Sequence, residues 1–188
     1  MRSGALSIAA VVSMVSAIAL SAEQAKQADG LTTPHLAMAT DAAIAAFTGF
    51  CFKAGQSPDQ ARQNMEKAVG SPLPFELTFW DSTRAPAPDA PGIIERRCEV
   101  AWPGQHTTVA IVALRSKMAE PPVFGTQIAL PETHQSLSGT AFIEGRALLR
   151  GRIAVVHVGT RDTAGVKQTF IAVDRLPADW QTRLEAKT

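Results

Sequence analysis

The chain has 188 residues, with 18 Lys+Arg against 17 Asp+Glu and 46% hydrophobic residues. That length suits one domain with its own core. The near balance of charge excludes a broad electrostatic affinity for nucleic acid or for an acidic membrane surface.

The N-terminus carries an address. Arg2 is the only charge before Glu23, and Ala5 to Leu20 is an apolar run diluted by serine and alanine. Ala17, Ala19 and Ala22 offer small residues at cleavage positions. This is the layout of a secretory signal peptide. We read residues 1–22 as the signal, 23–36 as a flexible polar lead-in and 37–188 as a single α+β domain. The run is shorter than the roughly 20 apolar residues of a membrane span. Retention as an anchor is therefore the alternative, and no stable membrane span is expected after cleavage. Removal of the signal takes Arg2 from the 18 basic residues and leaves them equal to the 17 acidic ones. The expected location is periplasmic or extracellular.

Thr40-Asp41 predicts a helix start, with the helix running to about Ala54 and stopping at Gly55. Ile44, Phe47 and Cys51 share one helical face, and Gly49 suggests close approach of a neighbour. Ser57-Pro58-Asp59-Gln60 is a capping box with proline in the first turn. The second helix follows, its stripe being Ala61, Met65, Ala68 and Val69, and Gly70 ends it.

Phe75, Leu77 and Phe79 alternate with Glu76, Thr78 and Trp80, which predicts a strand. A proline-rich surface loop leads to the stretch Gly92–Pro103. There Ile94, Arg96, Cys98, Val100 and Trp102 alternate with Glu95, Arg97 and Glu99, predicting a second strand. Pro103-Gly104-Gln105-His106 is a turn, and the apolar run Thr107–Leu114 reads as a hairpin partner strand. Ser116 to Thr140 is a long connection broken by Pro121, Pro122, Gly125, Pro131 and Gly139, with a brief strand over Ile128–Leu130. Strand material follows at Ala141–Ile143, Arg146–Val158 and Val166–Asp174, with a polar turn over Gly159–Gly165. Pro177 opens a last helix with Leu176, Trp180 and Leu184 spaced to pack on the sheet. The predicted fold is α+β: two N-terminal helices and a C-terminal helix on an antiparallel sheet of about five or six strands.

Two cysteines in an exported chain predict one disulfide, Cys51–Cys98, and a spacing this wide argues against a redox pair. His35, His106, His134 and His157 lack zinc-like spacing, so no metal and no cofactor is expected. His157, in an apolar strand, reads as a hydrogen-bonded core histidine. Asp162 and Asp174 read as turn and edge residues. Glu132, His134, Ser136 and Ser138 resemble hydrolase parts without a Gly-x-Ser-x-Gly elbow. Arg146, Arg150 and Arg152, read as one strand, form a basic row suited to an acidic protein or an anionic ligand. The functional expectation is a small exported disulfide-stabilised protein, a non-enzymatic binding or envelope protein. The alternatives are an envelope hydrolase using the 116–140 loop with His134 as base, and a structural protein kept at the membrane by its leader.

Overall fold

Alternation sorts each strand into two faces, and the sheet inherits both. The architecture comes from a computed structural model, which describes residues 33–87, 93–120 and 125–185. The stretch expected to be a signal peptide and most of the expected lead-in lie outside the described residues. Met1–Leu36 and Ala37–Thr188 group as separate units, and the sheet belongs to the second.

Among the described residues the helices are α1 (Thr33–Ala46), α2 (Pro58–Val69), α3 (Thr107–Ala119) and α4 (Trp180–Glu185). The strands are β1 (Glu76–Asp81), β2 (Arg96–Pro103), β3 (Gln127–Ile128), β4 (Thr140–Ala147), β5 (Ile153–Thr163) and β6 (Val166–Leu176). They form one sheet in the order β1-β2-β6-β5-β4-β3, with every neighbour antiparallel. The α+β class and the antiparallel sheet are as the patterning predicts.

One face of the sheet is the floor of the main core. Cys98, Val100 and Trp102 of β2 lie beside Ile171 and Val173 of β6, then Val156 and Val158 of β5. Ala43, Ala46, Phe47 and Met65 from the first helices and Ala110, Leu114 and Met118 from α3 cover them. Trp102 is fully buried, and its indole N–H donates to Thr40 Oγ1 at 3.0 Å. Residues Phe47–Cys51 continue α1 as one π-helical turn. The Cys51–Cys98 disulfide joins that turn to β2, with its Cα atoms 5.3 Å apart.

Local chemistry explains the helix starts. Ser57 Oγ accepts from Gln60 N, and Gln60 Oε1 accepts from Ser57 N, so both halves of the capping box are made. The first helix begins at Thr33, not at Thr40. Pro34 is tolerated in a first turn, and Thr40 instead sits inside the helix as the acceptor for Trp102. A methyl group added at Gly49 would meet nothing within 4 Å, so this glycine accommodates no close neighbour. In α2 Ala61 and Met65 are buried, whereas Ala68 is exposed.

The largest correction concerns residues 107–119. They are helix α3, not a strand paired with β2. Ala110, Leu114 and Met118 recur every four residues and are the buried positions, a helical period that the apolar run Val109-Ala110-Ile111-Val112, with three β-branched residues, obscures. The neighbours of β2 are β1 and β6. The expected turn over Gly159–Gly165 is also shorter. β5 continues to Thr163, and only Ala164 and Gly165 turn the chain, at φ 50° and 80°. Positive φ at both central residues is what a tight two-residue hairpin requires.

Candidate functional site

The opposite face of the sheet carries charge in its middle. Trp80, Arg97 and Asp174 lie directly across from one another on β1, β2 and β6. Arg97 Nε donates to Asp174 Oδ1 at 2.7 Å, and Arg97 Nη2 donates to Asp174 Oδ2 in a charged pair. The guanidinium carbon lies 5.2 Å from the centroid of the Trp80 ring. Arg97 is therefore held on one edge by a carboxylate and on one face by an indole, a geometry that lysine cannot reproduce.

The segment Pro131–Gly139 crosses this face. The Pro131 carbonyl accepts from His134 N and from Gln135 Nε2. The segment closes at Thr140, whose N–H donates to Leu137 O and whose Oγ1 accepts from Leu137 N. This folds His134 down onto the strands, where its Nε2 lies 3.0 Å from Asp174 Oδ2 and its Nδ1 lies 2.9 Å from Thr133 Oγ1. An ionised carboxylate only accepts, so Nε2 carries the proton; Nδ1 accepts the Thr133 hydroxyl when the ring is neutral and donates to it when the ring is an imidazolium.

Asp174 is buried at 3% exposure. Burial pushes its pKa up, but the hydrogen bonds and charges of Arg97 and His134 outweigh this and hold it below the ordinary value. For Arg97 burial works downward, and the Asp174 hydrogen bond and charge, with Glu99, raise it overall. His157 is held below the usual histidine value, first by burial and then by Arg97 and His134, with Asp174 opposing. Its Nε2 lies 3.0 Å from Thr140 Oγ1.

Arg97, His134 and His157 border a cleft of about 440 Å³. Arg97, His134 and His157 supply polar lining near the strands, Glu132, Thr133 and Gln135 supply it from the loop, and Ile93, Ile94, Leu137 and Ile143 supply the apolar part. The floor beyond the cleft is a second apolar cluster of Ile93, Ile153, Val155 and Leu176, against which Trp180 packs. Among the described residues no three His, Cys, Asp or Glu side chains are grouped to hold a metal ion.

Of the hydrolase-like residues singled out in the sequence, the structure brings Glu132 and His134 to this cleft, while Ser136 and Ser138 are not among its lining residues. The arginine row does not form. Arg146 lies in β4 and pairs with Glu144. Arg150 lies in a one-turn 3-10 segment at φ 63°, and Arg152 follows it with its Nε 3.4 Å from Glu95 Oε2. The chain turns at Arg150 and Gly151, both at positive φ, so one strand cannot carry all three.

Sequence reasoning missed Arg97 and Asp174 as site residues and treated Asp174 as an edge or turn acid. It is central, between β2 and β5. A signal was present: an acid inside the apolar run Phe170–Leu176 needs a buried partner, and Arg97 is a cation on an alternating strand. Neither residue alone tells which cation meets which acid. Comparisons with protein families, with curated proteins and with solved structures found no match.

Proposed function

We propose that this chain is a small exported binding protein whose ligand seat is the cleft between the Pro131–Gly139 segment and the open face of the sheet. The observation that carries this reading is the cleft's make-up. Its volume of about 440 Å³ falls within the roughly 300–1,000 Å³ of small-molecule sites, and the polar groups of Arg97, His134 and His157 converge there with the aliphatic side chains of Ile93, Ile94, Leu137 and Ile143. Export is supported by the signal-like layout of residues 1–22 and by the disulfide, a bond favoured in oxidising compartments. No helix among the described residues is long and apolar enough to cross a membrane. The test is a fragment screen read by proton–nitrogen NMR. Ligand-induced shifts should cluster at Ile93–Arg97, Glu132–Leu137, Ile143 and His157. Shifts confined to other surfaces, or none at all, would refute the reading.

A second reading rests on the Thr133–His134–Asp174 chain of hydrogen bonds, the order of groups found in acyl-transfer enzymes. His134 Nδ1 would take the Thr133 hydroxyl proton while Nε2–H faces Asp174. Binding is favoured over it because Asp174 already spends both oxygens on Arg97, which reduces its support for an imidazolium. Turnover of nitrophenyl esters that is abolished by both His134→Ala and Thr133→Val would establish the hydrolase instead.

A further inference from the structure

The guanidinium that lines the cleft has an unused edge. Arg97 commits Nε and Nη2 to Asp174 and one face to Trp80, while Nη1 has no hydrogen-bond partner among the described residues. Arg97 also lines the cleft, and its side chain is 29% exposed. A guanidinium locked on two sides loses little freedom when it donates again, which favours a ligand that accepts hydrogen bonds at that edge. Beside Glu132, Thr133, His134, Gln135 and His157, the lining holds an aliphatic group. Ile93 and Ile94 are buried, Ile143 is half-buried, and Leu137 is 73% exposed at the margin.

We propose that the cleft takes an aliphatic monocarboxylate, with its carboxylate on the Nη1 edge of Arg97 and its hydrocarbon along Ile93, Ile94, Leu137 and Ile143. This assignment rests on the cleft reading above and deepens it. A carboxylate is the acceptor that makes charge-assisted bonds with guanidinium. A primary amine offers only donors to the same edge. It would reach an acid of the lining only at Glu132, which is exposed and whose charge water screens. An alcohol can accept, but without charge. Asp174 already balances the charge of Arg97, so directed hydrogen bonding holds the anion and net attraction adds little. Burying the chain should strengthen binding roughly three- to fourfold per methylene until the apolar lining is covered.

The experiment uses the oxidised protein recovered from expression of the full chain. Acetate, hexanoate, octanoate, octanol and octylamine are titrated while amide shifts are followed by NMR. Octanoate should move the amides of Arg97, His134, Leu137, Ile143 and His157 and bind roughly tenfold tighter than hexanoate, given two methylenes. Acetate should leave them in place, and octanol and octylamine should bind at least about tenfold more weakly than octanoate. If octanol or octylamine moves the same amides at equal affinity, the cleft binds ligands but the carboxylate assignment is overturned. If octanoate moves nothing, the assignment is overturned. If no probe moves the cleft amides, the cleft reading falls with it. Arg97→Lys keeps a cation beside Asp174 and removes the fork. It should weaken octanoate at least about tenfold and leave octanol unchanged. Equal octanoate affinity in that variant would overturn the assignment. If it does not fold, the ligand series on the unaltered protein decides.

Discussion

Replacing Arg97 with methionine isolates the charged centre of the open face. The substitution keeps length and packing and removes the bidentate partner of Asp174. Asp174 would then be a carboxylate at 3% exposure with His134 as its remaining side-chain hydrogen-bond partner among the described residues. Breaking a buried ion pair by removing one partner costs about 3–5 kcal/mol, mostly the penalty of the stranded charge. The Arg97 side chain is itself 29% exposed, and His134 remains, so the lower end, about 3 kcal/mol, is expected. In a chain of this size that corresponds to a fall of about 6–12 °C in Tm. Urea unfolding with an unchanged m value measures the cost directly. Adding Asp174→Asn should return a large part of it, because the stranded charge is then gone. A cost below about 1 kcal/mol, or no recovery in the double variant, would show that water solvates Asp174 and that the pair does not organise this face.

Removing the disulfide by Cys98→Ala should cost about 2–5 kcal/mol, and a non-reducing peptide map should show Cys51 and Cys98 linked in the native protein. Gly159→Ala should destabilise by about 1–3 kcal/mol in chemical unfolding, because the new methyl would lie 2.7 Å from the Gly139 carbonyl oxygen and 2.8 Å from the Phe170 ring. Stability should fall in two acid windows. His157 and Asp174 both have folded pKa values below their unfolded ones, so each contributes stability that is present above its unfolded value and lost as pH falls through its folded one. His157→Gln should remove the loss that begins below about pH 6.5, and Asp174→Asn the loss that begins below about pH 3.9. Stability that is flat from neutrality to pH 3 would contradict both assignments.

What the sequence made legible was local. Period-two alternation around Cys98 and Phe79 marks two strands because each side chain there reports its own face. The Ser57–Gln60 box marks a helix start because its partners are three residues apart. Residues 107–114 misled because a short apolar run is buried equally well as strand or helix, and only the spacing to Met118 decides. The arginine row failed at Arg150, a non-glycine residue in left-handed backbone, which composition gives little means of locating. The cleft was illegible for a different reason. Arg97, His134 and Asp174 meet only because β2 pairs with β6 and a loop from the far edge of the sheet reaches over to them. That is information about topology, which no window of sequence contains.

The pairing of β2 with β6 also bears on how the chain reaches this state. Arg97 and Asp174, partners in that seam, are 77 residues apart. While the chain is being made, β1 and β2 can form their local antiparallel pair, but the other edge of β2 has nothing to bond to until β6 emerges. A strand left with a bare hydrogen-bonding edge is a template for pairing with other chains. Nascent chains of this protein are therefore expected to be vulnerable to association until β6 has emerged. Lys167 and Arg175, near the two ends of β6, do not protect β2 during that interval. The charges on β2 itself, Arg96, Arg97 and Glu99, are the ones in place to act as guards against sticking before they become part of the finished sheet.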